Sequence, residues 1–201
     1  MEMPSAKAEL EKLRALLPHV ILASGSPNRL ELLKSGGIEV IVRPQDIAED
    51  EPCGEPGPMV QSIASKKLEH YIKSDDFEPN TPALCLDTLV YFEGRFLGKP
   101  SSKAQALAEI KSFSGKEQEV YSGYALYHPL KGIIRGYERS TVTFYTLTDT
   151  QAEAYVATGE WQGAAGGYRI QKSGYKLIDY ITGSWTNVIG LPVEAIIKAL
   201  A

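Results

Sequence analysis

Residues 19–42, HVILASGSPNRLELLKSGGIEVIV, carry the clearest structural signal in the chain. The short apolar run 19–23 predicts a buried strand, which the segment SGSP at 24–27 interrupts. A helix is predicted over 28–35, because two glycines follow it and glycine commonly ends helices. The β-branched residues of 38–42 predict a second strand. Strand, tight turn, helix and strand in this order predict a right-handed βαβ unit.

Outside this unit, helices and strands continue to alternate along the chain. Apolar periodicity and turn residues predict helices over 5–17, 59–73, 102–112, 148–158 and 193–200, and strands over 83–92, 95–97, 117–128, 133–147 and 175–181. The proline-rich stretch 43–58 and the glycine-rich stretch 159–167 are predicted as loops. This interleaving predicts an α/β fold, on the border with α+β, with a mixed sheet and flanking helices.

Composition excludes several classes of protein. The 201 residues are 43% hydrophobic and 23% charged, which is typical of a globular chain with a substantial core. A net charge of -4 argues against a nucleic-acid partner, because such proteins carry a basic face. No apolar run is long enough to span a bilayer, and the acidic N-terminus is unlike a secretory signal. The two cysteines, Cys53 and Cys85, suggest no disulfide framework, so a cytoplasmic location without membrane association is expected.

The turn between the first strand and helix has the features of an anion site. Ser26 is a good helix N-cap and Pro27 suits the first helical position, so free backbone N–H groups point out of the turn. Arg29 falls at about the third helical position, where a cation is unfavourable by ~0.3–1 kcal/mol. We therefore expect an anionic ligand to supply the missing negative charge. The alternative is an ordinary capped helix.

Acidic and basic residues elsewhere could complete a phosphate-cleaving site. Asp87 interrupts the apolar run 83–92, and a buried charge is costly unless it is paired or bound to a metal. The alternative is a strand that ends at Leu86, with Asp87 exposed in a turn. Glu49 is a weaker candidate, because it lies in an acidic run and such runs are usually solvated loops. Lys67 and Lys99 are candidate phosphate contacts, although each alone could be a surface lysine.

Several ordered motifs together carry a family resemblance. They are LASGSPNR at 22–29 with ELL at 31–33, DT at 87–88, GKP at 98–100, TVTF at 141–144, GE at 159–160, Tyr168, IQ at 170–171, and GS with NVIGLP within 183–192. The first resembles the signature S-x-S-P-R-R-x-E-L-L, and the next three resemble A-D-T-x-V, x-K-P and T-x-V-x-F. From Val20 to about Leu200 the chain resembles the Maf family of nucleotide pyrophosphatases.

The resemblance implies an architecture and a set of partners. It implies an elongated, strongly curved mixed sheet, similar to the fold of inosine-triphosphate pyrophosphatases, with two lobes around a central cleft. The expected division is an N-terminal helical extension, 1–18, and a single two-lobed domain, 19–201. The resemblance also implies a nucleoside triphosphate substrate, a divalent cation, Mg²⁺ or Mn²⁺, and in many members a homodimer.

The same resemblance assigns roles to individual residues. Asp87 is implied to accept the proton of the attacking water, with Glu49 as a second acidic residue that shares the metal. Lys67 and Lys99 are implied to bind phosphate, Lys67 within the catalytic set. The remaining implied substrate-binding residues are Ser24, Ser26, Arg29, Thr88 and Gln171, of which the last three lie at positions tied to substrate choice. The Asp87-Thr88 pair resembles the branch that acts on dTTP and UTP.

The chain departs from the family pattern at two places. Asn28 stands where the signature has its first arginine, and GAAGGY at 163–168 stands where the pattern has D-K-A-G-A-Y. The leading hypothesis is a house-cleaning hydrolase that cleaves dTTP, UTP or related nucleotides to monophosphate and pyrophosphate. These departures keep a second hypothesis open, a nucleotide-binding regulatory protein of cell division with weak turnover. A third is a purine triphosphate pyrophosphatase acting on inosine or xanthosine nucleotides.

Overall fold

The structure of the protein, a computed structural model, describes residues 4–45, 47 and 54–201. The predicted metal ligand Glu49 and the cysteine Cys53 lie outside these residues. Among the helices of the described residues, none combines the length and apolar character needed to cross a membrane.

Seven helices and seven strands make up the described chain, together with two short 3-10 helices. The helices are α1 (Pro4–Leu16), α2 (Pro27–Ser35), α3 (Pro56–Ile72), α4 (Lys103–Ser112), α5 (Asp149–Ala157), α6 (Trp185–Ile189) and α7 (Val193–Leu200). The strands are β1 (His19–Leu22), β2 (Glu39–Val42), β3 (Ala83–Phe92), β4 (Arg95–Leu97), β5 (Glu117–His128), β6 (Gly132–Phe144) and β7 (Ile178–Thr182). The 3-10 helices are Ala165–Gly167 and Ser173–Leu177.

All seven strands form one mixed sheet in the order β2-β1-β3-β5-β6-β7, with β4 paired to β3. β1 lies between β2 and β3 and is parallel to both, as the predicted βαβ unit requires. The pairs β3–β5, β5–β6 and β6–β7 are antiparallel. The predicted α/β fold with a mixed sheet and flanking helices is therefore confirmed.

Most predicted elements are present, and the differences have local causes. α3 begins at Pro56, inside the predicted loop 43–58, because proline is well tolerated in the first helical turn. The predicted start of the last strand at residue 175 is wrong, since residues 173–177 form a 3-10 helix and β7 begins at Ile178. α6 was not predicted. It is five residues long, capped by the Ser184 side chain and ended by Gly190 at φ 106°.

β3 passes from one hydrophobic core into another. Its first half contributes Leu84 and Leu86 to a core with α1, α2 and α7. Its second half contributes Val90 and Phe92 to a core with α4, α5 and β6. A third cluster holds α3 against the sheet. The change of core occurs around Asp87, so this residue lies where the apolar packing is interrupted.

Two carboxylates meet where the N-terminal helix α1 packs on α7. Glu9 of α1 hydrogen-bonds to Glu194 of α7, and burial, that hydrogen bond and the charges of Glu194 and Glu138 raise the pKa of Glu9 to about 7. A raised carboxyl pKa means that the folded state holds a proton which the unfolded state releases near pH 4.5. The contribution to stability is therefore fully present below pH 4.5 and is lost as the pH rises to about 7.

We expect Glu9→Gln to remove this pH dependence. Because Glu9 is partly exposed, the variant should gain only about 1 kcal/mol over the parent at pH 8, and little at pH 4.5. Chemical unfolding at both pH values measures the difference, with Glu11→Gln, an exposed position on the same helix, as the control. Equal gains for the two variants at pH 8 would contradict the assignment to the Glu9–Glu194 contact.

Candidate active site

A cavity of about 910 Å³ opens where β3 changes core. The turn from β1 into α2 forms one wall, β3 forms the floor, and the segments around Lys99 and 163–172 form a further wall. The structure brings together every predicted site residue that it describes: Ser24, Ser26, Arg29, Lys67, Asp87, Thr88, Lys99 and Gln171. Residues from five separate segments thus converge on one space.

An ion pair between Asp87 and Lys67 lies on the floor of the cavity. Asp87 is within β3, paired with Gly123 of β5, so the alternative that the strand ends at Leu86 is wrong. Lys67 reaches it from α3, with 2.8 Å between Nζ and Oδ1, and both side chains are 12% exposed. Such a pair fixes the position of a carboxylate that faces the cavity, while keeping it accessible to a ligand.

Gly123 allows α3 to lie close enough to β5 for this pairing. A Cβ atom at Gly123 would lie 2.4 Å from the carbonyl oxygen of Val60 in α3. Real Cβ atoms do not approach backbone oxygen so closely, so α3 must shift if residue 123 has a side chain. The register that brings Lys67 to Asp87 therefore depends on the absence of a side chain at position 123.

We expect Gly123→Ala to lower both stability and activity. Overpacking of this kind costs about 1–3 kcal/mol, and the shift of α3 should move Lys67 away from Asp87. Thermal unfolding and pyrophosphate release measure the two effects. Gly98→Ala is the control for stability, because a Cβ there meets open space and the glycine has no positive φ. A variant as stable and as active as the parent would show that the close approach is unimportant.

Arg29 is held in place by hydrogen bonds to protein groups. It is 9% exposed. Its guanidinium donates to Ser24 Oγ at 2.8 Å, and to the carbonyl oxygens of Leu86 and Gly190 at 3.0 Å each. It also donates to Thr88 Oγ1 at 3.0 Å. These hydrogen bonds hold the guanidinium in place, but their acceptors are neutral, so the expectation that an anionic ligand supplies the missing negative charge stays a prediction.

Ser26 occupies the predicted N-cap position of α2, but its side chain makes no capping hydrogen bond. Instead, the backbone N–H of Ser26 donates to Ser24 Oγ at 3.3 Å. Ser24 thus accepts from both the turn and Arg29, and it shapes the turn that lines the cavity. The prediction was right about the position of Ser26 and wrong about its capping bond.

A buried polar network fixes Thr88 beside Asp87. Thr88 Oγ1 is 3.0 Å from Ser122 Oγ, and Ser122 donates to the carbonyl oxygen of Asn187 at 2.9 Å. Asn187 Nδ2 donates in turn to Ser140 Oγ at 2.9 Å and to the carbonyl oxygen of Val120 at 3.2 Å. The network ties α6 to β5 and β6. Sequence reasoning assigned no role to Ser122, whose only signal is a polar residue in a strand.

Apolar side chains also line the cavity: those of Leu89, Val90, Val120, Val188 and Ile189. Tyr168 lines it as well, and burial raises the pKa of its hydroxyl. Apolar side chains of this kind suit a planar, weakly polar group, whereas Lys67 and Lys99 suit an anion.

The cavity is also lined by two cationic side chains to which the sequence analysis assigned no role. Arg169 and Lys172 lie on the wall formed by 163–172. Among the described lining residues there are thus five cationic side chains and two carboxylates: Arg29, Lys67, Lys99, Arg169, Lys172, Glu31 and Asp87. A cavity with excess positive charge in a chain of net charge -4 favours an anionic ligand.

The described residues contain no group of three or more His, Cys, Asp or Glu side chains arranged to hold a metal by themselves. Asp87 is the carboxylate on the floor of the cavity. Mg²⁺ commonly takes only one or two protein carboxylates when phosphate oxygens complete its coordination. The donor set in the described part of the site therefore fits a cation that arrives with, or is completed by, a phosphate ligand.

The fold and the site define a class: mixed α/β proteins with a cationic cleft at the middle of the sheet. The chain belongs to the Maf family, whose model, Maf-like protein, matches residues 19–201. A dTTP/UTP pyrophosphatase from Pyrococcus furiosus is 39% identical over 90% of this chain and 93% of that protein. One from Bacillus anthracis is 37% identical over 90% of this chain and 93% of that protein.

A solved structure of a HAM1 protein from Coxiella burnetii covers 92% of this chain and 98% of that one, with a TM-score of 0.48 and 16% identity.

Proposed function

We propose that the protein hydrolyses dTTP and UTP to the nucleoside monophosphate and pyrophosphate. The observation that carries the proposal is the buried Asp87–Lys67 pair on the floor of a cavity rich in cations. The two relatives named dTTP/UTP pyrophosphatase support the choice of substrates.

Asp87 is proposed to accept the proton of an attacking water. Its carboxylate faces the cavity, and Lys67 at 2.8 Å holds it in one orientation. Attack at the α-phosphorus forms the new P–O bond and breaks the bond to the β-phosphate bridge, so pyrophosphate leaves. Lys67 and Lys99 stabilise the negative charge of the phosphates as the bond breaks.

A divalent cation, Mg²⁺ or Mn²⁺, belongs to the same proposal, with Asp87 and Glu49 as its protein ligands. When bound, it would neutralise phosphate charge and polarise the phosphoryl oxygens. We also propose the homodimer and the cytoplasmic location expected from the resemblance, and that neither nucleic acid nor membrane is a partner.

The pyrimidine base is proposed to lie against apolar lining residues such as Val120 and Ile189. Thr88 and Gln171 also line the cavity and are the groups proposed to read the base edge. Thr88 is held in place by Arg29 and Ser122, so its orientation is fixed before substrate binds.

A panel of nucleoside triphosphates with Mg²⁺ and with Mn²⁺ tests the proposal. We expect pyrophosphate release with the highest kcat/KM for dTTP and UTP. A preference for inosine or xanthosine triphosphate would replace the substrate and keep the chemistry. Binding of nucleotides without pyrophosphate release from any of them would overturn the proposal and favour a regulatory protein.

A further inference from the structure

The loop 163–164 contributes no side-chain charge to its wall of the cavity, but Arg169 places a guanidinium beside it. A Cβ atom at Gly163 would lie 3.5 Å from Arg169 Nη2. Gly163 has a φ of +72°, so the residue with the least strain there is glycine. The positive charge next to this loop therefore comes from Arg169, which lies six residues after Gly163 and five after Ala164.

Backbone groups hold the Arg169 side chain in one orientation. Its guanidinium donates to the carbonyl oxygens of Glu160 and Gln162. Its own backbone N–H donates to Tyr155 Oη at 3.0 Å, and its carbonyl oxygen accepts from Lys172 and Gly174. A guanidinium has five N–H donors, so the two carbonyl oxygens leave donors for a ligand in the cavity. The side chain is thus ordered before a ligand binds.

The charge of Arg169 is not compensated by a nearby carboxylate. Within residues 4–45, 47 and 54–201, no acidic side chain lies within ion-pair distance of it. Glu160, which is close in sequence, has one carboxylate oxygen engaged by the backbone N–H and hydroxyl of Ser173, at 2.9 and 2.6 Å. Carbonyl oxygens satisfy hydrogen bonds without neutralising a charge, so Arg169 presents a net positive charge to the cavity.

We propose that Arg169 binds the terminal phosphates of the substrate and retains the pyrophosphate group, from the wall formed by 163–172. The inference rests on the proposed function. A guanidinium presents parallel N–H groups that match two phosphate oxygens, which suits a leaving group with charge on several oxygens. Lys172 lines the same wall and adds a second positive charge there. Gly163 and Ala164 carry no charge, so the positive charge of this wall comes from Arg169 and Lys172.

The competing explanation is that Arg169 has only a structural role, in which its hydrogen bonds fix the loop 160–162. Three variants separate the two roles. Arg169→Gln removes both the positive charge and the planar guanidinium. Arg169→Lys removes the guanidinium and keeps the charge. Lys176→Ala, the control, removes an exposed lysine that does not line the cavity. Both Arg169 variants lose the hydrogen bonds of the guanidinium to the loop 160–162, whereas Arg169→Lys largely keeps the electrostatic attraction for phosphate.

The measurements are calorimetric binding of inorganic pyrophosphate with Mg²⁺, and kcat and KM for dTTP and UTP. For Arg169→Gln we expect pyrophosphate binding to weaken by about 10-fold or more, as for a charge-assisted contact. KM should rise by a similar factor, and kcat should change by less than about 3-fold. Arg169→Lys should lose about 3-fold in pyrophosphate affinity, and Lys176→Ala should match the parent.

Two results would overturn the inference: pyrophosphate affinity unchanged in Arg169→Gln, or equal losses in Arg169→Gln and Arg169→Lys accompanied by equal losses of melting temperature. Failure of the proposed function has a different signature. If the parent binds pyrophosphate through Arg169 but hydrolyses no nucleotide, the inference stands and the enzyme proposal falls. If the parent hydrolyses dTTP and both Arg169 variants keep its KM, the inference falls and the enzyme proposal stands.

Discussion

Asp87→Asn should lower kcat for pyrophosphate release by about 10²–10⁴-fold, the usual contribution of a general base. The amide cannot accept the proton of the attacking water, and it weakens the hold on a divalent cation. Because the carboxylate is buried beside Lys67, the amide also leaves the lysine charge less well compensated. We therefore expect a folded variant with a moderately lower melting temperature, and nucleotide binding that persists.

The control is Glu31→Gln, which removes the other carboxylate among the described lining residues. Glu31 is exposed on α2 and should be dispensable for turnover. Steady-state assays with dTTP and UTP, with circular dichroism to check the fold, give the comparison. Turnover retained in Asp87→Asn would refute the role of Asp87, and equal losses in both variants would point to a general effect of cavity charge.

Arg29→Ala should destabilise the free protein by about 3 kcal/mol, the scale of losing hydrogen bonds to a buried charged group. The guanidinium joins the turn before α2 to β3 and to the residue that ends α6, so its loss leaves buried acceptors without partners. Arg29→Lys should recover only part of the lost stability, because an ammonium group cannot reproduce the hydrogen bonds of a planar guanidinium. Urea unfolding without nucleotide measures the loss.

Lys34→Ala, an exposed lysine on the same helix, is the matched control and should unfold with the parent. Arg29 also lines the cavity, so nucleotide affinity should fall together with stability. Normal stability with weakened binding would show that these hydrogen bonds add little to stability and that Arg29 acts mainly on the ligand.

The strands and most helices could be predicted because each rests on a local pattern. The segment 83–92 is a strand over its whole length, and the capping box from Thr148 to Gln151 starts α5. The 3-10 helix before β7 could not be predicted in this way. It depends on contacts between separate segments, such as the Ser173 hydroxyl bonded to Glu160. α6 is too short for apolar periodicity to reveal.

In the site, too, residues with a local sequence signal could be predicted, and those that depend on contacts between distant segments could not. Asp87 could be singled out because a charge inside an apolar run is unusual, and its pairing with Lys67 gives the reason. The hydrogen-bond acceptors of Arg29 could not be predicted from its position in the helix, because they lie on β3 and after α6. Arg169 carries no sequence signal, since an arginine in a loop is ordinary. Its importance follows from the cavity it faces.

The central claim, cleavage between the α- and β-phosphates, is tested most directly by hydrolysis of dTTP or UTP in ¹⁸O-labelled water. The products are identified by ³¹P NMR and mass spectrometry. We expect one monophosphate and one pyrophosphate per turnover, with the label in the monophosphate, and product formation by Asp87→Asn at least about 10²-fold slower than by the parent. Orthophosphate with a nucleoside diphosphate, or label in pyrophosphate, would contradict it.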